Sequence, residues 1–114
     1  MSEDTIFSKI IQREVPADII YEDDQCLAFR DIAPQAPVHV LLIPKRPISR
    51  LADATADDRE LLGHLMVAAG DIARQEGVGD AFRVAVNSGA AAGQSVFHLH
   101  LHILGGRSFD WPPG

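Results

Sequence analysis

Cysteine is nearly missing from this chain. Cys26 stands alone among 114 residues, so no disulfide can close within it. That usage fits a reducing compartment. Basic residues are also short: ten Lys and Arg face sixteen Asp and Glu, for a net charge of −6. Sequence-independent nucleic-acid binding runs on phosphate neutralisation by Lys and Arg, and the densest basic run here is only Lys45-Arg46. Nucleic acid is therefore not an expected partner. Long hydrophobic runs are lacking too. The longest aliphatic stretch is Val40-Leu41-Leu42-Ile43, far too short to span a bilayer. The N-terminus, Met1-Ser2-Glu3-Asp4, is acidic where a signal peptide is basic. No internal repeat and no low-complexity linker is visible. These absences point to a soluble, cytoplasmic protein with no membrane partner.

What is present suits one globular domain over residues 1–114. Apolar residues make up 46% and charged residues 23%, ordinary for such a domain and wrong for a disordered or fibrous chain. At this length, roughly two-thirds of the unfolded surface can be buried, enough for a core without staples.

Hydrophobic spacing sets out the elements. Ile6, Phe7, Ile10 and Ile11 form one helical face, predicting a helix over Thr5–Arg13 that Asp4 or Thr5 caps and Pro16 ends. Ile19–Glu22 and Cys26–Asp31 flank Asp23-Asp24 and predict a hairpin. Val38–Ile43 is almost wholly apolar apart from His39, which predicts a central strand closed by Pro44 and Pro47. Thr55 with Asp57, Asp58 and Glu60 marks a helix start. Leu61, Leu62, Leu65, Met66, Ala69, Ile72 and Ala73 form its apolar stripe, and Gly77 and Gly79 stop it. Phe82–Asn87 and Val96–Leu104 alternate as strands, separated by a loop rich in Gly and Ala. The order α β β β α β β predicts an antiparallel α+β domain.

The last predicted strand carries His98, His100 and His102. Residues i, i+2 and i+4 of a strand share a face, with neighbours about 6.5–7 Å apart at the backbone. Leu99, Leu101 and Ile103 then face the core. Three readings stand. One is a solvated face that merely carries histidine. A second is a metal site, since His-x-His on a strand suits zinc with an open position, although no Glu or Cys sits beside the run. The third is nucleophilic catalysis by an imidazole whose neighbours fix its tautomer. The loop leading into the run, Asn87-Ser88-Gly89 to Gly93-Gln94-Ser95-Val96, favours the third. Its backbone N–H groups can cradle an anion and its Ser95 hydroxyl can donate. An anion cradle beside an imidazole suits phosphoryl or nucleotidyl transfer.

Several of these residues have plainer explanations. Ile6, Phe7, Ile10 and Phe29 read as core from spacing alone, although a base pocket is also apolar. Asp31 reads as a turn residue before Pro34, and His39 as structural or catalytic. His64 has no motif around it, and Cys26 reads as a small buried hydrophobe.

The segment Gly93-Gln94-Ser95-Val96-Phe97-His98-Leu99-His100-Leu101-His102 resembles the signature of the histidine triad superfamily. The similarity extends over Asp4–Ile11, Phe29–His39, Ile43–Lys45 and Leu104–Gly114, in the order of the histidine triad nucleotide-binding branch. The resemblance implies a five-stranded antiparallel sheet with two helices per subunit, and a homodimer sharing a ten-stranded sheet. It implies hydrolysis of the P–N bond of purine nucleoside 5′-phosphoramidates and of acyl or aminoacyl adenylates, with no required cofactor. His100 would attack phosphorus to form a nucleotidyl-histidine. His98 and His102 would bind the phosphate and set the tautomer of His100, Ser95 would meet the leaving amine, and His39 would orient or relay protons behind the nucleophile. Asp31 would bind the ribose hydroxyls. Ile6, Phe7, Ile10, Phe29 and Ile32 would line the base pocket. Asn87, Gly93, Gln94 and Val96 would contact ribose and phosphate, and Trp111 would reach toward the partner subunit's site. Zinc stays open as a dispensable ligand. A nucleotide-binding scaffold or sensor with incidental hydrolysis is the alternative function. Two departures stand out: Pro47 occupies a position where many relatives carry His, and the loop Gly89–Ala92 is rich in alanine where relatives are more polar.

Overall fold

Thr5 caps the first helix. In the computed structural model, which describes residues 4–114, its hydroxyl accepts the Ser8 N–H while the Ser8 hydroxyl oxygen accepts the Thr5 N–H. This reciprocal cap starts α1, Ile6–Ile11. The helix is shorter than its apolar spacing predicts. Arg13 adopts a positive φ of 63° and turns the chain before Pro16 is reached. Met1, Ser2 and Glu3, whose acidic character bears on targeting, lie outside the described residues.

The hairpin forms as expected from β1, Ile19–Glu22, and β2, Cys26–Arg30. Its turn is fixed by Asp23, whose Oδ1 accepts the N–H groups of Gln25 and Cys26, each at 2.8 Å. β3, Val38–Pro44, lies centrally, as its apolar run implies. Two 3₁₀ turns, Leu51–Asp53 and Ala56–Asp58, lead into α2, Arg59–Gln75. The Thr55 and Asp58 capping box therefore starts a 3₁₀ turn, and the regular helix begins one turn later than the acidic cluster predicts. β4, Phe82–Ala85, and β5, Leu101–Gly105, complete a five-stranded antiparallel sheet in the order β1-β2-β3-β5-β4. Both of these strands are shorter than their alternation predicts: β4 stops before Val86, and β5 starts at Leu101 instead of Val96.

The sheet separates two apolar layers. Toward α2 lie Cys26, Ala28, Val40, Leu42, Leu99, Leu101 and Ile103, packed on Leu65, Ala69 and Ile72. Toward α1 lie Leu27, Phe29, Leu41 and Ile43, packed on Phe7 and Ile10. Register then places the site. Leu41 pairs with His102, and directly opposed residues of an antiparallel pair share a face. His39 and His102 thus lie on the α1 side.

Candidate active site

The ladder between β3 and β5 explains how the histidine run is shaped. Its last pair is Leu42 with Leu101. Farther along β3 comes Pro44, which has no N–H to offer a ladder. Residues 98–100 leave the sheet there, and the Leu99 N–H donates instead to the Ile48 carbonyl at 2.6 Å. The side-chain alternation survives this departure. Leu99 and Leu101 enter the α2 layer, while the histidine rings gather on the other side. The His98 and His100 rings lie 6.2 and 5.0 Å from the Phe7 ring, both edge-on, and the His100 and His102 rings are 5.0 Å apart.

Backbone carbonyls, which can only accept, set two tautomers. The His100 Nδ1–H donates to the His98 carbonyl at 2.8 Å. The neutral His100 ring therefore carries its lone pair on Nε2. No buried side-chain nitrogen or oxygen among the described residues lacks a partner, so this unbonded Nε2 is not wholly sealed from solvent, although the residue as a whole is buried. The His98 Nε2–H donates to the Pro44 carbonyl at 2.8 Å, which leaves Nδ1 bare on that ring. With its ring N–H spent on that carbonyl, the neutral His98 ring has no donor left for a phosphate. The tautomer of His100 is set by the His98 main chain, not by a neighbouring imidazole.

A third ring is fixed through His39. The Gln35 N–H donates to His39 Nδ1 at 3.0 Å, so the His39 proton sits on Nε2. From there it is donated to His102 Nδ1 at 2.9 Å. His102 must then hold its own proton on Nε2, as a donor directed away from His39. His39 thus stands behind His102 and not behind His100. Asp31 Oδ2 lies 3.4 Å from the same His39 Nε2. Burial, together with the charges of His100 and His39, pushes the His102 pKa down to about 4, against an opposing pull from Asp31. Burial also lowers that of His98, partly offset by its bond to the Pro44 carbonyl. Both rings are neutral at pH 7.

The loop before the histidines is held by a residue expected to touch ligand. Gln94 is buried at 3% exposure. Its Nε2 donates to the carbonyls of Ser49 and Val96, at 2.8 and 3.0 Å, and its Oε1 accepts the Gly89 N–H at 2.8 Å. Its amide is spent on the loop itself, where a contact with ribose or phosphate is expected from the resemblance. Gly93 is favoured here by its φ of 100°, while a Cβ would meet Asn87 Nδ2 at an ordinary contact of 3.5 Å. Asn87 and Gly93 are thereby neighbours, Val96 packs at the edge of the α1 layer, and Ser95 is exposed.

The expected base-pocket residues divide. Phe7, Ile10 and Phe29 are buried, and Phe7 and Phe29 meet edge-to-face at 5.4 Å. They are core, and Phe7 also touches the histidine cluster. Ile6 is half-exposed and Ile32 wholly exposed. Trp111 lies 83% exposed on a C-terminal tail. Phe109 anchors that tail beneath the Arg83 and Arg107 guanidiniums, and Arg83 also donates to the Asp110 carbonyl. From the sequence His64 reads as structural or surface. The structure places its Nε2 2.7 Å from Asp23 Oδ2, tying α2 to the hairpin turn. A groove of about 470 Å³, absent from the sequence reading, runs between α1 and residues 45–49 and 97–98, with His98 in its wall.

The HIT domain model matches residues 12–109. The chain belongs to the HIT domain family. As a HIT protein it is 66% identical, over the full length of both chains, to an uncharacterized HIT-like protein of Synechocystis sp.. It is 51% identical to the 14 kDa zinc-binding protein of Zea mays, over 96% of this chain and 88% of that one. Among solved structures, a HIT family hydrolase from Legionella pneumophila superposes with a TM-score of 0.95 at 46% identity, covering 97% of this chain and all of the other. No helix of this HIT chain, among the described residues, is long and apolar enough to cross a membrane.

Proposed function

We propose that this protein hydrolyses the P–N bond of purine nucleoside 5′-phosphoramidates, and the related bond of acyl or aminoacyl adenylates, through a nucleotidyl group carried on His100. The observation that supports this most is the unbonded Nε2 of His100, held in that tautomer by the His98 carbonyl. The histidine triad nucleotide-binding branch is the part of the family whose chemistry this arrangement suits.

In the first step His100 Nε2 attacks the α-phosphorus. The P–N bond breaks, and the amine departs with a proton taken from the exposed Ser95 hydroxyl, which is reprotonated from solvent. The His102 Nε2–H donates to a phosphate oxygen as charge builds, a positioned donor of the kind that contributes most to such rates. In the second step water attacks the same phosphorus, the P–Nε2 bond breaks, and the nucleoside monophosphate is released. The base is received by apolar side chains among Ile6, Phe7, Ile10, Phe29 and Ile32. Asp31 accepts from the ribose hydroxyls, while Asn87, Gly93 and Val96 frame the phosphate. The protein works as a homodimer with Trp111 near the partner's site. It acts as one domain in a cytoplasmic setting, without nucleic acid or membrane as partners. The densest basic run fits this, since Lys45 is paired with Glu22 at 2.7 Å and Arg46 with Asp58 at 2.6 Å.

A metal reading has its own support. Donor atoms of Asp31, His39 and His102 lie within 4.8 Å of one another, and the maize relative is named for zinc binding. The two readings separate on one comparison. His100→Gly is expected to fold, bind AMP and show no turnover, while chelator leaves wild-type turnover unchanged. Wild-type turnover by the variant overturns the histidine mechanism. Loss on chelation with recovery on zinc favours the metal. Binding of AMP without hydrolysis by the wild type favours the scaffold alternative.

A further inference from the structure

The hairpin turn and α2 meet in a cluster on the side of the sheet away from the histidine rings. It holds Asp23 in the turn, Cys26 at the start of β2 and His64 on α2, and one donor atom from each lies within 4.8 Å of the others. The turn presets two of the three. Asp23 Oδ1 accepts the N–H groups of Gln25 and Cys26, which leaves Oδ2 directed at the other side chains. Onto that one oxygen converge the His64 Nε2–H at 2.7 Å, the Tyr21 hydroxyl at 3.1 Å and the Cys26 thiol at 3.4 Å. Three donors thus crowd the two lone pairs of a single carboxylate oxygen. Cys26 is wholly buried, whereas Asp23 and His64 are partly exposed, so the cluster opens to solvent on one side.

We propose that Asp23, Cys26 and His64 form a site for a divalent transition metal of the zinc class, bound through Oδ2, Sγ and Nε2 with water in the fourth position. Thiolate with imidazole is a donor set that suits zinc, and three protein ligands leave a tetrahedral ion one open place. The spacing is close to what such an ion needs. Bonds of about 2.3 Å to sulfur and about 2.0 Å to oxygen set those two ligands about 3.5 Å apart, and Sγ and Oδ2 stand at 3.4 Å. The partly exposed His64 ring has to retreat by about 0.6 Å, from hydrogen-bond to ligand separation. Binding displaces the Cys26 proton to solvent, because a coordinating thiol is deprotonated outright. The His64 hydrogen leaves Nε2 and Nδ1 takes one up, so the ring stays neutral. The Gln25 side-chain amide lies 3.5 Å from that Nδ1 and turns its Oε1 to accept the new hydrogen, the outer support that metal-bound imidazoles take. One thiolate and one carboxylate then balance the charge of the ion. The ion pins the hairpin turn to α2. The sheet lies between it and the histidine rings, so the site is independent of the hydrolysis proposed for His100.

Cobalt(II) is the probe, because it takes zinc's tetrahedral sites and shows thiolate bonding as a charge-transfer band in the near ultraviolet. Cys26 is the only cysteine of the chain, so that band reports this cluster and no other, the donor group of Asp31, His39 and His102 included. Reduced wild-type protein titrated with cobalt chloride is expected to develop the band to an end point of one cobalt per chain at this site, and added zinc is expected to abolish it. Cys26→Ser is expected to show no band at any cobalt concentration. His64→Gln keeps the thiol and is expected to bind cobalt there more weakly by well over tenfold, beyond the cost of losing an outer-shell partner. Its turnover of adenosine 5′-phosphoramidate is expected to equal that of the wild type. Should Cys26→Ser fail to fold, His64→Gln carries the test, since its side chain is partly exposed. Cobalt bound to saturation with no charge-transfer band overturns the proposal, as does the absence of any cobalt binding. A band of wild-type intensity and affinity in His64→Gln removes the imidazole from the site and overturns it too.

Discussion

His39 and His102 lie 63 residues apart in the chain, and their ring nitrogens meet at 2.9 Å. The direction of that bond is fixed from outside the pair, because the Gln35 N–H already fills His39 Nδ1. His102 therefore accepts on Nδ1 and keeps a donor on Nε2.

The first prediction concerns the charge of His102. Burial with the neighbouring rings holds its pKa at about 4, below the ordinary 6.5. Between these values the unfolded chain binds the proton and the folded one does not, so the fold loses stability as pH falls through that window. NMR of ring-labelled protein is expected to show His102 titrating near pH 4. A midpoint at 6.5 contradicts the proposed burial.

A second prediction follows from Gln94. Gln94→Ala strips one buried side chain of three hydrogen bonds to backbone. At about 1 kcal/mol net for each bond, the loss is about 3 kcal/mol. Urea unfolding checks it. Turnover is expected to fall as well, because the loop carrying Ser95 loses its anchor. A variant of wild-type stability shows that the loop is held elsewhere.

Asp23 provides a third. Burial raises its pKa, but the N–H of Gln25, the His64 ring and the N–H and thiol of Cys26 outweigh burial and hold the carboxyl well below the usual carboxylate range. The stability this contributes is fully present above the ordinary carboxylate pKa near 3.8 and disappears as pH falls toward the lower folded value. Asp23→Ala is accordingly expected to be strongly destabilised at pH 7, with the gap to wild type narrowing in acid. Denaturation midpoints at pH 7 and pH 2 measure it. A gap independent of pH contradicts the ionic account of the turn.

Cys26 gives a fourth. It is wholly buried, and burial followed by the Asp23 carboxylate pushes its thiol up to about 12. The thiolate is the reactive form, so native protein is expected to resist thiol reagents at pH 8 while unfolded protein reacts at once. Rapid labelling of the native chain contradicts this burial.

Much of the fold is readable from local pattern. Alternation places Leu99, Leu101 and Ile103 on one face and the three histidines on the other, and that facing holds even where the strand itself does not. The point at which β5 begins is not local, because it depends on Pro44 of the opposite strand having no N–H to give. Gln94 looks like a ligand residue in the sequence, since nothing there reveals that Ser49 and Gly89 stand beside its amide. The link from His39 to His102 likewise needs the register that pairs Val40 with Ile103. Helix ends were shifted by single-residue conformations, such as the positive φ of Arg13, that spacing does not encode.

The most direct test is the mass of protein quenched within one turnover of adenosine 5′-phosphoramidate. The account predicts one added adenylyl group, on the peptide containing His100 and on nitrogen, and its absence from His100→Gly. Steady hydrolysis with no adduct at any quench time, or an adduct on another residue, contradicts it.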